Sequence, residues 1–383
     1  MSHELSCRPS WDIFCAVIDN FGDIGVTWRL ARQLAAEHGL SVRLWVDDLQ
    51  VFAQICPDIS PILARQRQQG VEVCQWLRSW QPVEVADVVV EAFACQLPAD
   101  YITAMQQAGR RILWLNLEYL SAESWAADCH GLPSLQPSGL QKFFFFPGFQ
   151  EKTGGLLRER SLLAERRGFQ RSSVARQRFL GEWGINPPPD ALWVSVFAYE
   201  NAAIAAWLPS LTSAARPTLL LVPVSRVLGD IERALGVSGL KAGDSLQQGS
   251  LSVAILPFMS MDQYDRLLWC CDFNMVRGED SFIRAQWAGR PFVWHIYPQE
   301  EGAHWLKLEA FLACYSQQLP TVSREVLVSF WQAWNGGAGA DVVWPALVQA
   351  LEGFTQHAEY WCSQQEALSD LAGKLVSFYS DWL

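Results

Sequence analysis

No stretch of this sequence is apolar for the roughly 20 residues that a bilayer-crossing helix requires, so no membrane span is expected. Its ten cysteines never fall into a CxxC pair. They are scattered, with Cys270 and Cys271 adjacent, a pattern that argues for reduced, mostly buried thiols. Six histidines supply neither HExxH nor a compact cluster with Cys or Asp, and no metal site is expected. A GxSxG elbow and a Walker phosphate loop are also missing. Positive charge is scarce: 29 Lys and Arg face 40 Asp and Glu, a formal net charge of −11. That is the wrong sign for a protein whose main partner is a phosphate backbone, so nucleic acid is not expected as a partner. The first residues, MSHELSCRPSW, have neither the basic start nor the apolar core of a signal peptide, and a cytoplasmic location is expected.

What is present is enough for two cores. Half of the 383 residues are hydrophobic and only 18% are charged, without low-complexity runs or internal repeats, which argues against disorder and for two domains. In the first half, Ile13–Ile18, Val42–Val46, 88–93 and 112–116 read as strands and 26–37 as the clearest helix, with Leu30 and Leu34 on one face. Strands alternating with helices imply a parallel, doubly wound α/β sheet. A basic run, Leu156 to Phe179, reads as a solvated helix face or as a contact for an acidic partner. The three prolines of GINPPPDA, 184–191, cannot sit inside a helix or a central strand, which places a domain junction there. The pattern then restarts, with strands near 193–197, 218–222, 251–256, 272–276 and 291–296. The expected domains are 1–184 and 185–362, with a helical tail at 363–383 returning to the first.

Open α/β sheets bind ligands beyond the carboxyl ends of their strands, so the residues just after strands deserve inspection. After the first strand comes Asp-Asn-Phe-Gly-Asp-Ile-Gly, where Asp19 and Asp23 stand in place of a glycine-rich phosphate cradle and would repel a diphosphate. Asp23 reads either as a first-turn or capping residue, or as part of a site for a cation or a base. In VRGEDSFIRAQW a strand ends at Arg277–Gly278, and Asp280 or Ser281 can cap a helix whose free N–H groups form an anion site. Arg277 would add charge to it or pair with a neighbouring carboxylate. Glu279, beside a phosphate, needs a hydroxyl, a cation or an amide to point at. Phe197, Tyr199 and Phe258 follow strands where a flat base could stack, although aromatic residues in such places are more often core. Glu118, after another first-half strand, reads as an acceptor contact or as a solvated loop acid.

The segments IDNFGDIGVTWRLARQL, VEAFACQLP, LNLEYLSAE, FFPGFQEKTGGLLRER, SVFAYEN and VRGEDSFIRAQWAGRPFVWHIYPQEEGAH resemble the EarP family of protein-arginine rhamnosyltransferases, which modify translation elongation factor P. The likeness runs in matching order from about Trp11 to the tail. It implies a GT-B glycosyltransferase with two Rossmann-like domains facing across a cleft. It also implies transfer of rhamnose from dTDP-β-L-rhamnose to an arginine of elongation factor P, with inversion, an aspartate as late-acting base, and neither metal nor other cofactor. The family's essential acids fall on Asp19, Asp23 and Glu279. Its donor contacts fall on Phe197, Tyr199, Phe258, Arg277, Asp280 and Ser281, with Gly278 and Glu279 in the same loop, and the acceptor side holds Asp19, Asp23 and Glu118. Met261 departs from the family, which has glutamine at that place, and this bears on base recognition. The alternatives are a transferase acting on a small molecule or glycan, an epimerase-like relative, and a non-catalytic GT-B binding module.

Overall fold

A computed structural model describes residues 8–18, 21–77, 80 and 82–383. The chain divides into two compact units: Met1–Arg160 together with Glu366–Leu383, and Ser161–Gln365. Among the described residues no helix is long and apolar enough to cross a membrane, and the cysteines are free thiols, most of them buried.

In the first unit the strands are β1 (Ser10–Cys15), β2 (Ser41–Val46), β3 (Arg65–Gln68), β4 (Val71–Gln75), β5 (Val88–Ala92), β6 (Leu113–Leu117), β7 (Pro133–Leu135) and β8 (Gln141–Phe145). They form one eight-stranded sheet in the order β3-β4-β2-β1-β5-β6-β8-β7. β3 and β7 pair antiparallel to their neighbours. The other pairings are parallel. Strands such as VVVEA and LWLNL are buried at every position, as expected where helices cover both faces. Without the two antiparallel strands the order is the doubly wound one, in which the chain reverses direction between β1 and β5. Helix α1 (Gly22–His38) follows β1 and ends at Gly39, whose φ of 68° is open to glycine at little steric cost.

β1 starts three residues earlier than the apolar pattern suggests, because a buried acid lies inside it. Asp12 accepts from Arg43 Nε and Nη2 of β2 at 2.6 Å each and from the Tyr101 hydroxyl. Burial pushes its carboxyl up, while Arg43 and Tyr101 pull it back.

The second unit repeats the plan with β9 (Leu192–Val196), β10 (Thr218–Pro223), β11 (Ser245–Gln248), β12 (Leu251–Leu256), β13 (Phe273–Arg277) and β14 (Phe292–His295). The six-stranded order is β11-β12-β10-β9-β13-β14, with the reversal between β9 and β13. Each sheet ends in an antiparallel hairpin turned at a left-handed glycine, Gly70 between β3 and β4 and Gly249 between β11 and β12.

The junction expected at 184–191 is not a boundary. The chain passes between units at Arg160–Ser161 and again at Gln365–Glu366. Residues 161–184 belong to the second unit because the helices Leu162–Arg171 and Ser173–Gly181 cover its sheet, Phe179 and Leu180 packing with Ala191, Leu219 and Leu221. The basic run is therefore not wholly a solvated face. Arg166 is 1% exposed and bonds to Glu359 and to the Ala288 carbonyl. The remainder of the unit, between β14 and Gln365, is helical and dense in aromatic residues, with Phe311 and Trp331 stacked 5.6 Å apart.

Candidate functional site

Post-strand residues form two sets, one in each unit. In the first unit, Asp19 lies outside the described residues. Asp23 is the second residue of α1 and is completely buried. One carboxylate oxygen accepts the Ile18 N–H at 3.0 Å, closing the loop after β1. The other accepts from the Tyr119 hydroxyl at 3.3 Å. Asp23 is thus a first-turn residue, favoured there by the helix dipole, and its carboxylate is wired to the loop after β6.

Tyr119 is itself held by Phe93, whose ring stacks on it at 4.6 Å and 16°. Phe93 and Ala94, just after β5, both adopt left-handed backbone, with φ of 56° and 54°. Two consecutive non-glycine residues in that region are strained, and such strain collects at functional sites. The ends of β1 and β5 flank the reversal point, where this fold binds ligands. Sequence reading missed Phe93, because nothing in VEAFACQLP announces a positive φ.

Glu118 precedes Tyr119 and is half-buried. It accepts from the Asn116 amide. Burial pushes its carboxyl up, the Lys142 ammonium lowers it, and Glu91 raises it. Lys142 of β8 bonds Glu91 of β5 at 3.0 Å, so two acids lie around one ammonium where β5, β6 and β8 run side by side.

In the second unit, the post-strand residues converge around Arg277. Its guanidinium carbon lies 4.6 Å from the ring centroids of both Phe197 and Tyr199, which follow β9 across the reversal point. Cation–π contact of this kind holds the charge while leaving edge N–H groups for a ligand. Its Nε is buried without a hydrogen-bond partner among the described residues. Gly278 (φ 63°, ψ −172°) turns the chain, and the helix begins at Glu279. Asp280 and Ser281 therefore lie in the first turn rather than at the cap. The reason is that the glycine makes the turn in one residue. The Ser281 hydroxyl is bonded to the backbone of Arg277, accepting its N–H at 3.2 Å and donating to its carbonyl. The acids at this helix start are stabilised by its dipole, and the N–H groups of its first turn suit an anion.

Phe258, after β12, is half-buried, and Met261 opens the next helix, where Ser260 and Gln263 form a capping box. His295, at the end of β14, is paired in register with Arg277 and meets the Tyr199 ring at 5.4 Å. Burial, then Arg277, push its imidazole down to about 4. Its Nδ1 is buried without a hydrogen-bond partner among the described residues. Glu279 accepts from Lys307 at 2.9 Å, a partner in the helix Ala303–Tyr315 that the sequence reading does not reach. Among the described residues no group of three or more His, Cys, Asp or Glu could hold a metal ion.

The chain matches the family described as "Elongation-Factor P (EF-P) rhamnosyltransferase EarP" over residues 11–380. A protein-arginine rhamnosyltransferase of Pseudomonas aeruginosa is 56% identical over 374 residues, covering 98% of this chain and 100% of that protein. Its counterpart in Neisseria meningitidis is 36% identical over 384 residues, with 96% of each covered. A solved structure concerned with EarP-mediated arginine glycosylation of translation elongation factor EF-P superposes with a TM-score of 0.72 at 42% identity, covering 98% of this chain and 100% of that one. Acinetobacter baumannii MurG superposes with a TM-score of 0.52 at 13% identity, covering 98% and 100%, and shares the fold alone. The fold is GT-B.

Proposed function

Because the chain belongs to the EarP family of EF-P rhamnosyltransferases, we propose that it moves L-rhamnose from dTDP-β-L-rhamnose to an arginine guanidinium of EF-P, inverting the anomeric carbon. The second unit takes the donor. Arg277, between Phe197 and Tyr199, and the N–H groups opening the Glu279–Trp287 helix receive the diphosphate. Phe258 stacks on the thymine, and Asp280 and Ser281 complete the loop around the nucleotide. Glu279 takes hydroxyls of the sugar. Charge on the departing dTDP is met by these groups, without a metal ion.

The first unit takes the acceptor. A guanidinium is planar, cationic and has five N–H donors but no acceptor, so carboxylates grip it where a phosphate loop would not. Asp23, with Asp19 and Glu118, supplies that charge. Removing the proton beforehand is prohibitive: an aspartate near 4 and an arginine above 12 differ by about 8 pKa units, roughly 11 kcal/mol. The base therefore acts late. As a guanidinium nitrogen forms the C–N bond, the C–O bond to dTDP breaks on the opposite face, the nitrogen turns acidic, and Asp23 accepts its proton.

The observation that carries this reading is the buried Asp23 carboxylate, fixed by Ile18 N–H and by Tyr119 at the end of β1. Asp23→Asn should keep dTDP affinity by calorimetry and lower the rate at which EF-P gains a deoxyhexose-sized mass by about 100-fold or more. An equal loss of nucleotide affinity would move Asp23 to the donor side and defeat the assignment.

A further inference from the structure

Arg277 ends β13 and His295 ends β14, and the two are partners in the parallel register, so their side chains leave the same face of the sheet. Both are more than nine-tenths buried, at 7% and 6% exposed. Each keeps one nitrogen without a hydrogen-bond partner among the described residues, Nε of Arg277 and Nδ1 of His295. Buried polar atoms in that condition are rare and call for an explanation. These two are complementary: Nε carries a hydrogen to donate, and Nδ1 of a neutral imidazole accepts one. Burial, then Arg277, keep the imidazole unprotonated at neutral pH. Both side chains also meet the ring of Tyr199, with the guanidinium carbon 4.6 Å and the imidazole centroid 5.4 Å from its centroid.

The imidazole is set firmly in its place. Asn335 bonds the backbone on both sides of it, accepting the Ile296 N–H at 3.0 Å and donating to the Trp294 carbonyl at 3.0 Å, and the Trp334 ring meets it at 6.3 Å and 74°. Arg277 is fixed at its backbone by Ser281 and at its guanidinium by aromatic rings, an attraction that sets the position of the group more than the direction of its N–H bonds. A diphosphate depends on that direction, because two-point contact needs the planar fork to face it. We propose that His295 is a positioning residue of the donor site: when a nucleoside diphosphate draws the Nη groups of Arg277, Nδ1 of His295 takes the Nε–H and aims the fork. This rests on the donor-site reading.

Two substitutions at 295 and one at 277 test this by calorimetry with dTDP. His295→Leu removes the acceptor and should lower affinity about tenfold, whereas His295→Asn returns an acceptor oxygen close to the place of Nδ1 and should stay within about threefold of wild type. Arg277→Lys keeps the charge but has no Nε–H, so adding His295→Leu to it should change affinity by less than about twofold. A histidine that only packs, or that touches the nucleotide itself, gives the same loss in both backgrounds. Should His295→Leu not fold, the wild-type protein crystallised with dTDP decides the matter, with Nε and Nδ1 expected about 3 Å apart. The inference is overturned if His295→Leu binds dTDP like wild type, if its loss persists beside Arg277→Lys, if His295→Asn is as weak as His295→Leu, or if the two nitrogens stand more than about 4 Å apart in the complex. Failure of the wild-type protein to bind dTDP would instead overturn the donor-site reading itself.

Discussion

Tyr119 and His295 show how single side chains set the character of the two sites. Tyr119 gives Asp23 a neutral hydroxyl as neighbour. The hydroxyl orients the carboxylate and adds no charge of its own. His295 likewise gives its site a neutral neighbour, since burial and Arg277 hold its imidazole near 4, well below the usual 6.5. The sign of its effect on stability follows. Above about pH 6.5 the ring is neutral in both folded and unfolded chains, and nothing is lost. Below that the unfolded chain takes up a proton that the folded one resists, so stability falls as pH drops toward 4, by up to roughly 3 kcal/mol. His295→Gln should flatten this part of the curve. Thermal unfolding of both proteins between pH 7 and 4.5 tests it, and parallel curves would show that His295 is not a buried neutral ring.

At the scale of elements, the strained exit from β5 asks for a mutation of its own. Ala94 is exposed and holds a φ of 54°. Left-handed backbone costs an ordinary residue about 1–2 kcal/mol, against about 0.5–1 kcal/mol of extra entropy lost by glycine. Ala94→Gly should therefore stabilise the first unit slightly, by up to about 1 kcal/mol, and raise its unfolding midpoint. A clear fall in the midpoint would mean that the turn is not strained.

Most parallel strands were legible because their apolar runs stand between helix-period segments, as in VVVEA and LSVAIL. The error at β1 came from Asp12, which looks like a boundary until Arg43 and Tyr101, 31 and 89 residues away, are seen to satisfy it. The edge strands β3 and β11, RQRQ and SLQQ, are polar and short, so only their pairing identifies them. Among site residues, Arg277, Phe197 and Tyr199 were legible because each follows a strand. Lys307 and Phe93 were not, since one bonds Glu279 from 28 residues away and the other is marked by its backbone angle.

At the scale of the whole molecule, the tail is structural to the first unit. Trp11 meets Tyr379 at 6.0 Å, Phe378 meets Phe143 and Phe145, and Arg111 lies 4.2 Å from the Trp382 ring. The Leu371 N–H bonds the Leu156 carbonyl at 3.0 Å. Leu371 and Leu375 are almost completely buried, together worth roughly 3–6 kcal/mol. Removing residues 366–383 should therefore make the first unit sensitive to limited proteolysis while 161–365 stays resistant. Preferential cleavage within 161–365 would contradict this.

The two passages of the chain between units, at Arg160–Ser161 and Gln365–Glu366, also order events on the ribosome. Synthesis delivers every residue of the inserted unit before it delivers the helix Leu371–Trp382 that completes the other. The usual order, in which the amino-terminal domain folds first, is reversed. The half that begins to emerge first is the last to become whole, and until that helix is made its unfinished surface is what a chaperone would find.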